Sequence, residues 1–370
     1  MIRPKLNKIR QKSDDLLIQI IDWNSYDIPD EDEDDENDSD EENRNKFIKN
    51  RSFIIRGYGV TDDGNSVSIH VKDFTPYFFI KIPQYWTQKE FNIFIMVLQN
   101  RVSKYHKDSM ISSDIVLRKE FYGFTNNTLY KFGRLVFKNI NGFYSYQKAL
   151  KNKIKIRSLG KIFDFSKSLY EIRITPLLRF FHIKNIKPVG WIRIPAGSYE
   201  INHPSKSRCQ IDLSVHYDKI INIDRNKVGR ILIASFDIEC TSEDGSFPKA
   251  TRKGDEIIQI GTSVYEYGNT NCLLKHIVTL KNCDPIEDTL VESYDSEKNV
   301  IIAWAKFIQK LDPDIITGYN IWGFDWEYIY DRAKTGNGGQ VADYSNIILR
   351  KLHRLEDGVA EYKIKELSSS

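Results

Sequence analysis

The sequence predicts an α/β protein of mixed α+β type, with a β-rich amino-terminal domain over residues 1–224 and a second domain over 225–370. Three observations lead there. Short apolar runs bounded by turn residues alternate with amphipathic stretches but without the regular period of βαβ units. The polar segment "INIDRNKVGR", residues 221–230, interrupts this pattern and marks the boundary. Beyond it, longer apolar strands lead into a strongly amphipathic helix. With 370 residues, 41% of them hydrophobic and 12% aromatic, the chain can build two or three cores.

In the first domain, "DLLIQIIDW" (15–23), "RSFIIRGYGV" (51–60) and "SVSIHV" (66–71) read as strands of a mixed sheet, with "TDDGN" a turn between the last two. Thr87 and Glu90 form a capping-box signature, and Phe91, Phe94, Ile95, Leu98 and Val102 follow at helical spacing. "RLVFKNI" is a predicted strand, "GFYSYQKALKNK" a helix, "SLYEIRITPLLRFFHI" a helix interrupted by Pro176, and "GWIRIP" a short strand.

In the second, "RILIASFDIE" and "DEIIQIGTSVYEY" are strands joined by a polar loop, and "CLLKHIVTL" adds a third, so an antiparallel meander is expected. Val300, Trp304, Phe307, Ile308 and Leu311 mark a helix that "DPD" stops. "IITGY" reads as a short buried strand, and another helix begins near Gly323.

A formal net charge of +3 hides a segregation. Residues 30–42, "DEDEDDENDSDEE", hold 11 acids and no base, so the other 357 residues carry +14. The acidic block is expected to be a disordered insertion between strands, and the basic body suits a polyanion or simply solubility. The amino terminus has basic residues with no apolar stretch behind them, and no window reaches about 18 apolar residues, so neither signal peptide nor membrane span is expected. Cys209, Cys240, Cys272 and Cys283 lack C-x-x-C pairing and nearby histidines. Reduced thiols of an intracellular protein are therefore expected, with no structural zinc.

The chemistry concentrates where the first strand of the second domain ends. Strand side chains alternate, so Asp237 and Glu239 share one face. Their mutual repulsion is relieved by a hard divalent cation among oxygen ligands, or equally by bulk solvent. Asp325 falls in the first turn of the last helix, where free N–H groups and the helix dipole favour its ionised form. If "IITGY" lies beside "DIE", Asp325 reaches the same side and completes a three-carboxylate cluster suited to two metals. Taken singly, Asp325 could serve the helix dipole alone.

"FDIEC", followed 79 positions after Cys240 by "YNIWGFD", resembles the first two exonuclease motifs of family B DNA polymerases, in particular the eukaryotic delta-type replicative enzymes and their giant-virus relatives. "DFTPYFFIKIP", "FYGF", "LLRFFHI", "GWIRI" and "CQIDL" resemble the amino-terminal region of that family in the right order, so the resemblance spans nearly the whole chain. It implies a ribonuclease-H-like 3′-to-5′ proofreading domain, incomplete at its carboxyl end. Asp237, Glu239 and Asp325 would bind two Mg²⁺ ions, with Mn²⁺ able to substitute, for phosphodiester hydrolysis. Asp237 would bridge the metals, Glu239 would bind one and help orient the attacking water, and Asp325 would be the ligand from the second motif. Phe247 matches a position where the family sets an aromatic against a frayed 3′ end, and packing within its own loop is the alternative. Asn320 would contact the strand end or a metal-bound water, or serve as a turn residue. The implied partners are the primer 3′ end, single-stranded template and, through a further part of the polymerase, a sliding clamp. The implied location is a nucleus or viral replication factory, with no membrane.

The departures matter too. The family's Tyr-x-x-x-Asp motif has no match after residue 333, because Tyr344 is followed by Ile348, and the palm signatures are absent. The active site the resemblance implies therefore lacks its fourth acid, and the chain is expected to be the amino-terminal part of a longer polymerase, a piece that alone neither polymerises nor proofreads well. A free-standing exonuclease that takes a fourth ligand from Asp343 or a partner, and a DNA-binding module with relic carboxylates, are the other readings.

Overall fold

A computed structural model describes residues 3–6, 9, 13–29, 51–120 and 123–335. The acidic stretch 30–42 and the carboxyl-terminal residues Asp343, Tyr344 and Ile348 lie outside them. The chain runs β1 (Leu16–Pro29), β2 (Arg51–Thr61), β3 (Ser66–Lys72), β4 (Tyr77–Lys81), α1 (Gln88–Gln99), β5 (Met110–Lys119), β6 (Leu129–Phe137) and α2 (Ile140–Leu150). It continues through β7 (Ile154–Ile156), β8 (Lys161–Phe163), β9 (Leu169–Tyr170), α3 (Pro176–Lys184), β10 (Gly190–Ile194), β11 (Tyr199–Ile201), β12 (Ile211–His216) and β13 (Ile221–Ile223). Last come β14 (Leu232–Cys240), β15 (Ile257–Glu266), β16 (Leu274–Leu280), β17 (Thr289–Tyr294), α4 (Glu297–Leu311), β18 (Ile315–Thr317) and α5 (Asp325–Thr335).

The residues before 224 build two cores. A seven-stranded mixed sheet, ordered β11-β12-β3-β2-β1-β10-β13, is antiparallel except where β12 runs beside β3. Ile18, Ile55, Ile69 and Leu213 pack there against Phe180 of α3. A four-stranded antiparallel sheet, β5-β6-β4-β9, packs Phe78 with Phe91 and Phe94 of α1 and Phe143 of α2. The predicted capping box is present: Thr87 accepts from the start of α1 while Glu90 reaches back to the Thr87 N–H at 2.7 Å. That helix ends before Val102, which is buried beyond it.

Pro176 starts α3 where an interruption was expected. It occupies the first helical turn, where its missing N–H costs nothing, and Thr175 caps the helix by accepting from Leu178 N at 3.3 Å. Upstream, Leu169 and Tyr170 pair with β4 as a strand.

The third sheet, β17-β16-β15-β14-β18, contains the expected antiparallel meander β14-β15-β16. Beside it lies β17, unforeseen from the sequence and parallel to β16. Strand β18 adds to β14 in parallel. Helix α4 is capped by Ser296 and closed by Asp312 in the left-handed conformation. Its buried Val300, Trp304 and Ile308 join Phe236, Ile260 and Ile329 in one core.

A buried arginine ties the first sheet to the third. Arg3 donates Nη1 to Gly64 O at 2.7 Å in the β2–β3 turn, and Nε to Asp312 O at 2.9 Å. Its guanidinium also pairs with the Asp312 carboxylate at 3.1 Å and the Asp314 carboxylate at 2.8 Å. Asp314 in turn accepts from Leu232 N at 2.8 Å, at the first residue of β14. Removing one partner of a buried ion pair strands the other charge, so Arg3→Ala is expected to lower unfolding free energy by about 3–5 kcal/mol in chemical denaturation.

His276 of β16 is 1% exposed, stacks on Phe307 at 3.7 Å and meets Glu292 at 3.0 Å. Burial pushes its pKa below the ordinary histidine value, against the pull of Glu292. The unfolded chain then binds the proton that the native ring refuses. Stability is therefore full above about pH 6.5, the unfolded value, and falls as pH drops through the lower native value. Urea titrations across this range should show a shallower decline for His276→Gln than for the unaltered chain.

Candidate functional site

Burial along β14 alternates as the period-two reading requires. Leu232, Ala234, Phe236 and Ile238 face the core, while Asp237 and Glu239 are exposed on the other face. On one side β14 pairs with β15, and on the other with β18 through Ile233–Ile315, Ala234–Ile316 and Ser235–Thr317. "IITGY" thus does lie beside the strand that carries "DIE".

The turn after β18 is tightly specified. Gly318 lies against β14, and a Cβ there would stand 2.4 Å from Phe236 O. Asn320 adopts φ +50°, and its carbonyl accepts from Gly323 N at 2.9 Å and Phe324 N at 3.2 Å. Its amide side chain fills the space over Gly323, where a Cβ would come within 2.4 Å of Asn320 Oδ1. These contacts give Asn320 a turn function.

Helix α5 opens on Asp325, which is only 2% exposed and accepts from Ile238 N through Oδ1 at 3.1 Å. The helix start was expected to favour the ionised form. Burial works against it and raises the pKa from the ordinary aspartate value; the Ile238 and Asp325 N–H groups oppose the rise, and the neighbouring Asp237 carboxylate adds to it. Asp325 and Asp237 are thus brought together, with Glu239 two residues along the same strand face. Among the described residues, no three His, Cys, Asp or Glu side chains converge closely enough to hold a metal. Asp237 and Glu239 remain turned to solvent, where two like charges separate most cheaply.

The loop between β14 and β15 is built around Asp255. This buried carboxylate accepts from Glu243 N at 2.8 Å, Lys249 N at 2.7 Å and Arg252 at 2.7 Å. Burial opposes its ionisation, but these donors outweigh burial and hold its pKa below the usual value. Arg252 also donates to Phe247 O at 2.7 Å and pairs with Asp244. From α5, Tyr328 donates to Asp255 O at 2.9 Å and Arg332 to Arg252 O at 2.8 Å. Phe247 is consequently held 71% exposed, its ring edge on Phe324 at 5.1 Å rather than within its own loop. Nearby, burial pushes the Cys240 thiol up to about 12, so it offers no thiolate nucleophile near neutrality.

Sequence reasoning missed two features. Tyr319 and Trp322 are 93% and 60% exposed in the turn before Asp325, although aromatics in so apolar a segment read as core. The Asp255–Arg252 brace was equally invisible, because its donors are mostly backbone groups of a polar loop.

A mixed α/β protein with a carboxylate-bearing strand flanked by a parallel neighbour is the class that fold and site define. The description "DNA polymerase family B, exonuclease domain" matches residues 167–369, and the chain belongs to that family. It is 35% identical over 327 residues to a DNA polymerase of Acanthamoeba polyphaga mimivirus, covering 85% of this chain and 18% of that protein. It is 33% identical over 292 residues to a DNA polymerase delta catalytic subunit of Oryza sativa, covering 76% of this chain and 26% of that one. The chain thus spans roughly a quarter or less of these two relatives' lengths. The family B DNA polymerase of the archaeon Pyrobaculum calidifontis shares the fold, with a TM-score of 0.55, 18% identity, and coverage of 86% of this chain and 32% of that one.

Asp255→Ala leaves two backbone donors and a guanidinium without their acceptor. It is expected to cost about 1–3 kcal/mol for each donor left buried and unsatisfied. Limited proteolysis should then cut first within residues 241–256.

Proposed function

We propose that this chain is the amino-terminal part of a DNA-directed DNA polymerase and carries a 3′-to-5′ proofreading exonuclease site, with residues 1–224 and 225–370 as its two units. The observation that carries the reading is the delivery of Asp325 to the β14 backbone at Ile238, between Asp237 and Glu239.

The donor set suits a hard divalent cation: all three groups are carboxylates, and Asp325 is a buried acid beside a second acid, an arrangement that positive charge relieves. Asp237, Glu239 and Asp325 would hold two Mg²⁺ ions. When bound, Mg²⁺ supplies Lewis acidity toward a phosphodiester oxygen.

The chain's own residues do the rest. Asp237 and Glu239 present their carboxylates to solvent, where a strand end can arrive. Asp325 is fixed by the Ile238 N–H, so it does not follow solvent fluctuations. Phe247 offers an exposed ring to an unpaired terminal base, and stacking there requires no particular sequence. Asn320 sets the turn and stands beside the same site, where it can also meet the strand end. Selection of a frayed end follows, since a paired terminal base must first give up its hydrogen bonds and its stacking on the neighbouring pair before it can reach the ring. Binding to the primer end and single-stranded template places the protein with replicating DNA, in a nucleus or a viral replication factory. A sliding clamp would be a further partner of the longer polymerase.

With a 3′-labelled single-stranded oligonucleotide and Mg²⁺ or Mn²⁺, the chain should release nucleotides from the 3′ end slowly, because Asp237, Glu239 and Asp325 are three of the four carboxylates that the family uses. Asp237→Ala should slow this by about three orders of magnitude, the loss of several kcal/mol of transition-state stabilisation. Release that persists unchanged in the variant would sink the assignment.

A further inference from the structure

We propose that Trp322 is a second base-stacking platform for single-stranded DNA, leaning, as Phe247 does, on a chain neighbour of Asp325. The inference rests on the exonuclease reading of Asp237, Glu239 and Asp325. Of the six tryptophans, Trp23, Trp86, Trp191 and Trp304 are buried and Trp326 is half-buried; Trp322 alone is exposed, at 60%.

Its exposure is propped from within. The Trp322 ring stacks on Trp326 at 6.0 Å with an interplanar angle of 29°. Trp326 in turn meets Phe236 at 5.1 Å and Trp304 at 5.9 Å, both in the core. An aromatic ladder therefore runs from the sheet to the surface. Phe247 tops a second ladder, on Phe324 at 5.1 Å, which rests on Tyr328 at 5.1 Å. Phe324 and Trp326 are the two chain neighbours of Asp325, so each exposed ring leans on a residue adjacent to the acid.

A ring that stacks on one face and is largely open offers its other face to a flat partner. Bases are flat whatever their identity, and stacking is sequence-tolerant. The turn that carries Trp322 is fixed by the left-handed Asn320 and the crowded Gly323, so little ordering remains to be done on binding. Exposed Lys249 and Lys253 in the Phe247 loop add positive charge for a phosphate backbone. With two platforms propped on the chain neighbours of the acid, a strand would be held by two unpaired bases, which discriminates further against a paired end.

The test is fluorescence titration of the full chain with oligothymidylate in EDTA, where cleavage is silent. Emission from the exposed tryptophan should be quenched on binding. In Trp322→Ala the quench should vanish and affinity, followed by anisotropy of a labelled strand, should fall about tenfold, the loss of one stacked base; Trp322→Phe should restore most of the affinity without the quench. Asp237→Ala should keep the quench while losing metal-dependent cleavage. Cleavage without quench, or unchanged affinity in Trp322→Ala, overturns the platform and leaves the exonuclease reading standing. Quench and affinity loss without metal-dependent cleavage in the unaltered chain keep the platform and remove the exonuclease.

Discussion

The site depends on a parallel pairing only three residues long, between Ile233–Ser235 of β14 and Ile315–Thr317 of β18. Residues some 80 positions apart in the chain become neighbours there, and every later contact inherits that register. Because the strand period is two, a slip of one residue would turn Asp237 and Glu239 toward the core. The register is guarded at its entrance by Asp314, which exchanges backbone and side-chain hydrogen bonds with Leu232 at 2.9 and 2.8 Å. It is guarded at its exit by Gly318, pressed against Phe236 O. Arg3 extends the support to the first sheet by holding Asp312 and Asp314 together.

From this pairing follows an electrostatic arrangement that the fold alone does not favour. A buried carboxylate is placed beside an exposed one, and the backbone N–H groups of Ile238 and Asp325 offset only part of the cost. A cation drawn to it would relieve that cost. The surrounding brace has the opposite character, because its charges are paired, Asp255 with Arg252 and Glu297 with Arg332. Paired opposite charges thus stand beside two like ones, Asp237 and Asp325, at one end of β14.

Much of this was legible in the sequence. Period-two spacing placed Asp237 and Glu239 on one face, helical spacing placed α1 and α4, and the apolar "IITGY" marked β18. Other parts were hidden for physical reasons. Strand β17 alternates weakly between half-buried and exposed residues, so its apolar pattern is faint. Pro176 reads as a break because its place at a helix start is fixed by the Thr175 cap, which the apolar pattern does not show. Arg3 reaches partners 309 positions away, a distance at which local pattern carries no information. Trp322 and Tyr319 look like core residues because exposure belongs to the folded turn and not to residue type. The acidic insertion and the Tyr344 region lie outside the described residues.

The most direct measurement is anomalous diffraction from crystals of the chain soaked in Mn²⁺. The account predicts anomalous peaks between Asp237, Glu239 and Asp325, with the carboxylates drawn in around them, and their loss in Asp325→Ala. Ordered Mn²⁺ bound elsewhere while this end of β14 stays empty at millimolar concentration would contradict it.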